Sequence, residues 1–469
     1  QYYMESELAL HDHLKALTAV AANVELYSFI LEETSLLDTL TQLLGHDNDD
    51  IAAIVVSLYW EWLDPTLLKA DPDLAPIFQN LASRVLKEAW ETIVANFVRF
   101  QNDDDDNNND QEQQEEQDQS GGGDNDPTLN GIDNALSLME NLLDLDLMIP
   151  DGISGSDLSA AAHMVQETKI VSWLLEQVDT QEQPKQNQQQ QSPNVEFQAR
   201  CMELVAFIAQ RDDVHTILTD WSKLSKFSTS ASRDLANNEP PHKKSKQQQQ
   251  QEEESLLDGI ECMLQTIGKF RKAQPEDDNE VGLLENTCLA LSSCITFSTN
   301  NLIAFLQGQG VELVVRCLKE RVHSGATTLK LLDFVVSPHH QNPNDNINDD
   351  DDALHNKNRQ DDYYAQQGCE RIITAGGLKY LFPLFVQTRI PQPAPSSTTT
   401  TKAKREWLAT IETQTIRILY GLSRYLKDDS PDEAKARFLS KFVQEEMKCD
   451  RLVELLLYYD EKARRAEYN

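Results

Sequence analysis

The sequence predicts an all-α protein built from repeated helical units, and three observations lead there. Apolar residues recur with helical spacing along most of the chain. Strand-like alternation bounded by turn residues is scarce. One pattern also returns: NNLIAFLQGQGVELVVRCL (300–318) and CERIITAGGLKYLFPLF (369–385) each read as a short apolar helix, a glycine turn and a second apolar helix.

The elements follow in order. After Ser35, Leu36, Leu40 and Leu43 stand at offsets 0, 4 and 7. In IAAIVVSLYWEWL (51–63), Ile51, Ile54, Val55, Leu58 and Trp62 fall at i, i+3, i+4, i+7 and i+11, which predicts a helix with one buried face. The preceding GHDNDD supplies a glycine stop and acidic residues for the next N-terminus. After Gly310 come Val311, Val314, Val315 and Leu318, and after Gly377 come Leu378, Leu381, Phe382 and Phe385, both at offsets 0, 3, 4 and 7. ATTLKLLDFVV (326–336) then holds the place that 51–63 holds upstream. The unit is a short, a longer and a long helix, about 40 residues in all, which is the armadillo or HEAT scale. The expected fold is an armadillo/HEAT-type α-α superhelical solenoid.

Biased segments interrupt it at 101–126, 180–194, 237–254, 338–361 and 391–402. The first holds eleven acidic residues and no Lys or Arg. Such stretches bury too little apolar surface to offset their ordering entropy, so all five are expected to be disordered inserts in a single array spanning 1–469. Repeat arrays tolerate them because loop-closure entropy grows slowly with length. The helical blocks between them are mostly too short to bury their own apolar faces alone. Residues 403–469 read as C-terminal helices that stop short, and the opening Gln1 reads as the start of a fragment.

Composition narrows the function. Lys and Arg number 41 against 78 Asp and Glu, a formal charge of −37, which opposes a phosphate-binding surface and favours basic partners. The seven cysteines are odd in number, lack a CxxC pair and lie mostly in apolar helix patterns, as expected of buried thiols in a reducing compartment. No signal-peptide pattern opens the chain and no apolar run approaches the roughly 18 to 20 residues that cross a bilayer, so a soluble intracellular protein is expected. No nucleophile-elbow, Walker, dinucleotide or metalloprotease motif is present, and GQG at 308–310 lacks the strand that precedes a phosphate loop. No enzyme activity, cofactor or metal is expected. His11 and His13 point about 100° apart from the residue between them on a helix, a poor metal pair.

HKKSK (242–246), KAKR (402–405) and KARR (462–465) each read equally as a nuclear-import signal or a solvated charge run. Armadillo importins grip basic peptides with a Trp and an Asn one turn later. Here Trp60, Trp90, Trp173, Trp221 and Trp407 are followed four positions on by Asp64, Val94, Gln177, Ser225 and Ile411, and Trp62 by Thr66, so that ladder is missing.

The run LLENTCLALSSCITFSTNNLIAFLQGQGVELVVRCLKERVHSGATTLKLLDFVV (283–336) with GLKYLFPLF (377–385) resembles the beta-catenin-like family of spliceosome-associated armadillo-type proteins. ELYSFILEETSLLDTLTQLLGHDNDDIAAIVVSL (25–58) resembles that family's first repeat, and FLSKFVQEEMKCDRLVELLLYY (438–459) its region after the repeats. The inserts have no counterpart, the basic N-terminal tail is missing, and the chain stops near where the family continues into further helices. The resemblance implies a nuclear, non-catalytic scaffold of pre-mRNA splicing that binds nineteen-complex proteins and basic, nuclear-localisation-like segments, without direct nucleic-acid contact. A cytoplasmic armadillo adaptor in signalling, adhesion or transport is the alternative, and a helical enzyme or hydrolase regulator without a recognisable motif a third. Off the buried stripes lie Trp60 and Glu61, Asp64 at their helix end, and Lys330 and Asp333. These five are the expected partner-binding residues, through ion pairing and cation–π contact, although ordinary solvated surface reads the same way.

Overall fold

In the computed structural model the described residues are 2–101, 130–154, 158–179, 194–227, 256–337, 351–394, 400–428, 430, 433–444 and 446–467. The protein is all-α, and its Cα positions divide into two compact units: Gln1–Trp173 with Lys226–Ser255, and Leu174–Ser225 with Leu256–Asn469. The described part of the first unit runs α1 (Tyr2–Ala16), α2 (Glu25–Glu33), α3 (Leu36–Leu43), α4 (Asp49–Trp62), α5 (Pro65–Ala70), α6 (Ala75–Arg84), a π-turn at Val85–Ala89, α7 (Trp90–Ala95), α8 (Gly131–Met148) and α9 (Ala160–Glu167). Helix α10 (Ile170–Val178) carries the boundary. The second unit continues through α11 (Val195–Ala209), α12 (Asp212–Ile217), α13 (Gly259–Lys269), α14 (Asp278–Phe297), α15 (Thr299–Gln307), α16 (Gly310–Glu320), α17 (His323–Thr327), α18 (Leu329–Val336), α19 (Asp351–Thr374), α20 (Leu378–Phe385), α21 (Thr401–Tyr425), α22 (Ala434–Val443) and α23 (Glu446–Glu467). Leu224–Ser225 pairs with Leu256–Leu257 as a two-residue antiparallel ribbon.

In chain order most of these helices fall into triplets, with a short extra helix in two of them (α7 after α6, α17 after α16) and α1, α22 and α23 outside, and the third helices pack on one another within each unit. Helix α4 packs on α8 in the first unit; in the second, α11 packs on α14, α14 on α18 and α18 on α21. Most third helices begin on a side-chain cap. Asn48, Asn130, Asn194 and Asp277 accept the N–H groups of Asp50, Asp133, Phe197 and Glu280 at 2.8–3.2 Å, and Thr400 accepts that of Ala403. Each such cap contributes about 1 kcal/mol by satisfying a donor the helix cannot. Asn130, Asn194 and Thr400 are the first described residues after a biased segment, so the cap restarts the helix where the insert ends.

Several expectations shift. Helix α4 buries every residue from Ile51 to Tyr59 rather than one stripe, because α1, α3 and α8 enclose it. The apolar stretch Asp49–Ala70 is long and apolar enough to cross a membrane, yet most of it is buried inside the protein. Helix α3 buries Leu37 and Leu40, with Leu44 just beyond its end, one position out of phase with Leu36 and Leu43. The phases after Gly310 and Gly377 hold: Val311, Val314, Val315 and Leu318, and Leu378, Leu381, Phe382 and Phe385, are all buried. The left-handed turn residues, however, are Gln309 (φ 60°) and Gly376 (φ 80°). Gly310 is small for a different reason: a Cβ there would overlap the Phe305 ring.

The expected inserts lie largely outside the described residues, at 102–129, 180–193, 228–255, 338–350 and 395–399. Two of their bounds move. Helix α19 opens at Asp351, inside 338–361. Residues 391–394 are held in place, with the Gln392 N–H donating to the Arg321 carbonyl and Gln274 Nε2 to that of Pro393, both at 2.8 Å. A proline-rich strap without helical potential is thus ordered by its neighbours' polar groups.

Candidate functional site

Helix α4 ends in Trp60-Glu61-Trp62, and adjacent positions face about 100° apart. Trp62 turns inward: its Nε1–H donates to the Leu17 carbonyl at 3.4 Å, and its ring lies 6.5 Å from that of Tyr27. Trp60 and Glu61 are consequently left half-buried at the surface. Asn141 of α8 reaches this end of α4 and donates from Nδ2 to the Trp60 carbonyl at 3.1 Å. Around it on α8 stand Ser137 and Glu140, half-buried, and Asp144, exposed. These positions share one helical side, opposite the buried Leu136, Leu142 and Leu143. The junction of α4 and α8 therefore presents an indole, an amide and three carboxylates.

Burial raises the Glu61 carboxyl above its usual range, and among the described residues Glu61 has no ion-pair partner. A desolvated, unpaired carboxylate is stabilised by an arriving cation, and an adjacent indole face adds cation–π attraction. Burial also pushes the Tyr27 phenol well up, with Asp64 and Glu61 adding to the shift. Asp64 itself serves the fold by capping α5, accepting the Thr66 N–H at 2.8 Å and the Thr66 hydroxyl at 2.7 Å.

Lys330 and Asp333, on α18 in the second unit, do not form an open acidic face. Asp333 is 3% exposed and ion-paired at 3.1 Å with Arg417 Nε of α21. Burial, outweighing Arg417, raises its carboxyl to about 6. The half-buried Lys330 ammonium lies 5.7 Å from the Phe334 ring centroid, and burial lowers its pKa. Single-helix periodicity places both residues off the stripe, but Arg417 of the next third helix covers Asp333. The structure thus groups Trp60, Glu61 and Asp64 at one helix end and turns Asp333 to internal packing, with Lys330 half-buried on the same helix.

Among the described residues no group of three or more His, Cys, Asp or Glu side chains converges as a metal would require. Six cysteines are buried and Cys449 is exposed; burial pushes the Cys262 thiol up to about 12 and the Cys317 thiol to about 11, which leaves little nucleophilic thiolate at neutral pH. The KARR run is tied into its own helix, with Arg464 paired to Asp460 and Arg465 to Glu461. HKKSK lies outside the described residues.

The helical triplets and the spine of third helices agree with a family comparison. The family model described as catenin-beta-like, Arm-motif containing nuclear, matches residues 1–233, 242–349 and 355–469. The chain belongs to this catenin-beta-like family. Among its relatives, beta-catenin-like protein 1 of Homo sapiens is 24% identical over 460 residues, covering 97% of this chain and 60% of that protein. The Rattus norvegicus protein is 24% identical over 459 residues with the same coverage, and the Schizosaccharomyces pombe homolog 23% over 461 residues, covering 98% and 59%. The chain spans about 60% of the length of these curated relatives. Among solved structures, an engineered protein aligns with 82% of this chain and 98% of its own at 12% identity and a TM-score of 0.35, too low to bear on the fold. The catenin-beta-like family is thus one of nuclear Arm-motif proteins.

The sequence alone flagged Trp60, Glu61 and Asp64 and overlooked Glu140, Asn141 and Asp144. An importin-type ladder places Asn one turn after each Trp on the same helix, whereas the Asn beside Trp60 comes from the next third helix. The off-stripe residues of α8 carry the signal that could have found the acidic pair Glu140 and Asp144.

Proposed function

We propose that this chain is a non-catalytic nuclear interaction scaffold in pre-mRNA splicing. It associates with proteins of the spliceosome's nineteen complex by holding their basic, nuclear-localisation-like segments against the α4–α8 face of its first unit. The observation that carries this reading is the juxtaposition of Trp60 and the desolvated, unpaired Glu61 with Asn141 and the acids of α8. Family membership supports the nuclear setting, and the overall charge of −37 favours encounter with cationic segments. Exposed ion pairs contribute only about 0–1 kcal/mol each, so affinity is built from several carboxylates and the indole together. The test is affinity purification of the wild-type chain and a Glu61→Lys/Asp144→Lys variant from nuclear and cytoplasmic extracts. Splicing proteins are expected with the wild type from nuclear extract and depleted with the variant. Recovery of cytoplasmic adhesion, signalling or transport partners alone would sink the nuclear reading.

A further inference from the structure

The second unit holds a cavity of opposite character to the acidic face. Between α20, α22 and α23 lies a space of about 610 Å3, within the roughly 300–1,000 Å3 of ligand pockets. Phe382, Pro383 and Met447 give it an apolar lining, and Phe382 is fixed edge-on against Phe442 with centroids 4.9 Å apart. Over the same ring stands the buried Lys448, its ammonium 4.5 Å from the centroid and donating to the Lys441 carbonyl at 2.6 Å. Exposed Lys379, Arg437 and Lys441 also line it, with the hydroxyl residues Thr388 and Ser440, and none of the three cations has an ion-pair partner among the described residues. No acidic residue is found among the described residues that line it. In a chain with nearly two acids for every base, four cations around one apolar cavity are a local reversal of charge.

We propose that this cavity binds an acidic peptide segment carrying one apolar anchor residue. The anchor enters against Phe382 and Pro383, and flanking carboxylates pair with Lys379, Arg437 and Lys441 in charge-assisted hydrogen bonds. A peptide fits better than a nucleic acid. The cations ring a single cavity instead of tracking a phosphate backbone, and the chain's net charge repels a long polyanion. This site is separate from the basic-segment face and of opposite polarity, so the two fail independently.

Fluorescence anisotropy of the full chain with a labelled Asp/Glu-rich dodecapeptide bearing one central Phe tests the proposal. Saturable binding is expected, weakened at least about tenfold by Lys379→Glu/Arg437→Glu and equally by replacing the peptide's Phe with Ala. Both altered side chains are exposed, a thermal melt checks the fold, and Lys441→Glu provides a second variant with the same expected loss. Binding of a Lys/Arg-rich peptide to the same variants should stay unchanged. The proposal is overturned if the acidic peptide shows no saturable binding, or if the charge reversals leave its affinity unaltered. It is equally overturned if an oligonucleotide of equal charge binds as tightly, which would mark a surface that attracts any polyanion.

Discussion

Asp333 shows how a residue's meaning changes once its neighbour is known. On α18 alone it reads as a surface acid, yet it lies under Arg417 with its carboxyl raised by burial from 3.8 to about 6. The folded state therefore binds a proton more readily than the unfolded chain, and stability falls as pH rises between those values. Above that window Asp333 is charged and Arg417 is what compensates it. Arg417→Ala should destabilise the protein by on the order of 2 kcal/mol at about pH 8 and by clearly less at about pH 5, where the carboxyl takes a proton. Denaturant melts at the two pH values measure this, and an equal loss at both would show that the pair is not electrostatic. Gln309 makes a similar point. The sequence locates the turn by its glycines, but the left-handed residue is the glutamine, and Gly310 is small because the Phe305 ring lies against it. Composition reveals that a turn exists; which residue bends depends on what packs across it.

At the scale of elements, the third helices decide the fold, and their contacts fix the small residues. Gly421 of α21 faces the backbone of α18, where an added Cβ would stand 2.6 Å from the Val336 carbonyl oxygen. A side chain could move aside, but a helix backbone cannot without parting the two helices. Gly421→Ala should accordingly cost about 1–3 kcal/mol, read as a lowered unfolding midpoint, and an unchanged midpoint would mean that α18 and α21 are not packed this closely. The sequence showed helix existence and, after Gly310 and Gly377, helix phase. It misjudged α3, whose leucines satisfy two phases one residue apart, and α4, whose enclosure by three helices leaves no polar face to read. The capping residues at the ends of the inserts were legible in type, although nothing local says that Asn130 or Asn194 resumes an interrupted repeat.

At the scale of the whole molecule, charge is the property that the sequence reports most directly and locates least well. Eleven acids concentrate in 101–126, but the carboxylates that flank Asn141, which reaches Trp60, sit on α8, beyond that insert. Asn141 and Trp60 are 81 positions apart in the chain, and periodicity within one helix carries no information about such a contact. The same holds for Phe382 and Lys448, brought together from different helices to make a cationic cavity in an acidic protein. The part of the expected site on α4 was therefore visible as off-stripe residues, and Asp333 on α18 became internal packing. The central claim is that the α4–α8 face binds basic segments electrostatically. The most direct measurement is the Kd of a labelled Lys/Arg-rich peptide for the wild-type chain and for Glu61→Lys/Asp144→Lys, at low salt and at about 0.15 M. Binding should weaken steeply with salt and by about tenfold or more in the variant; a Kd unmoved by either change would contradict an electrostatic face.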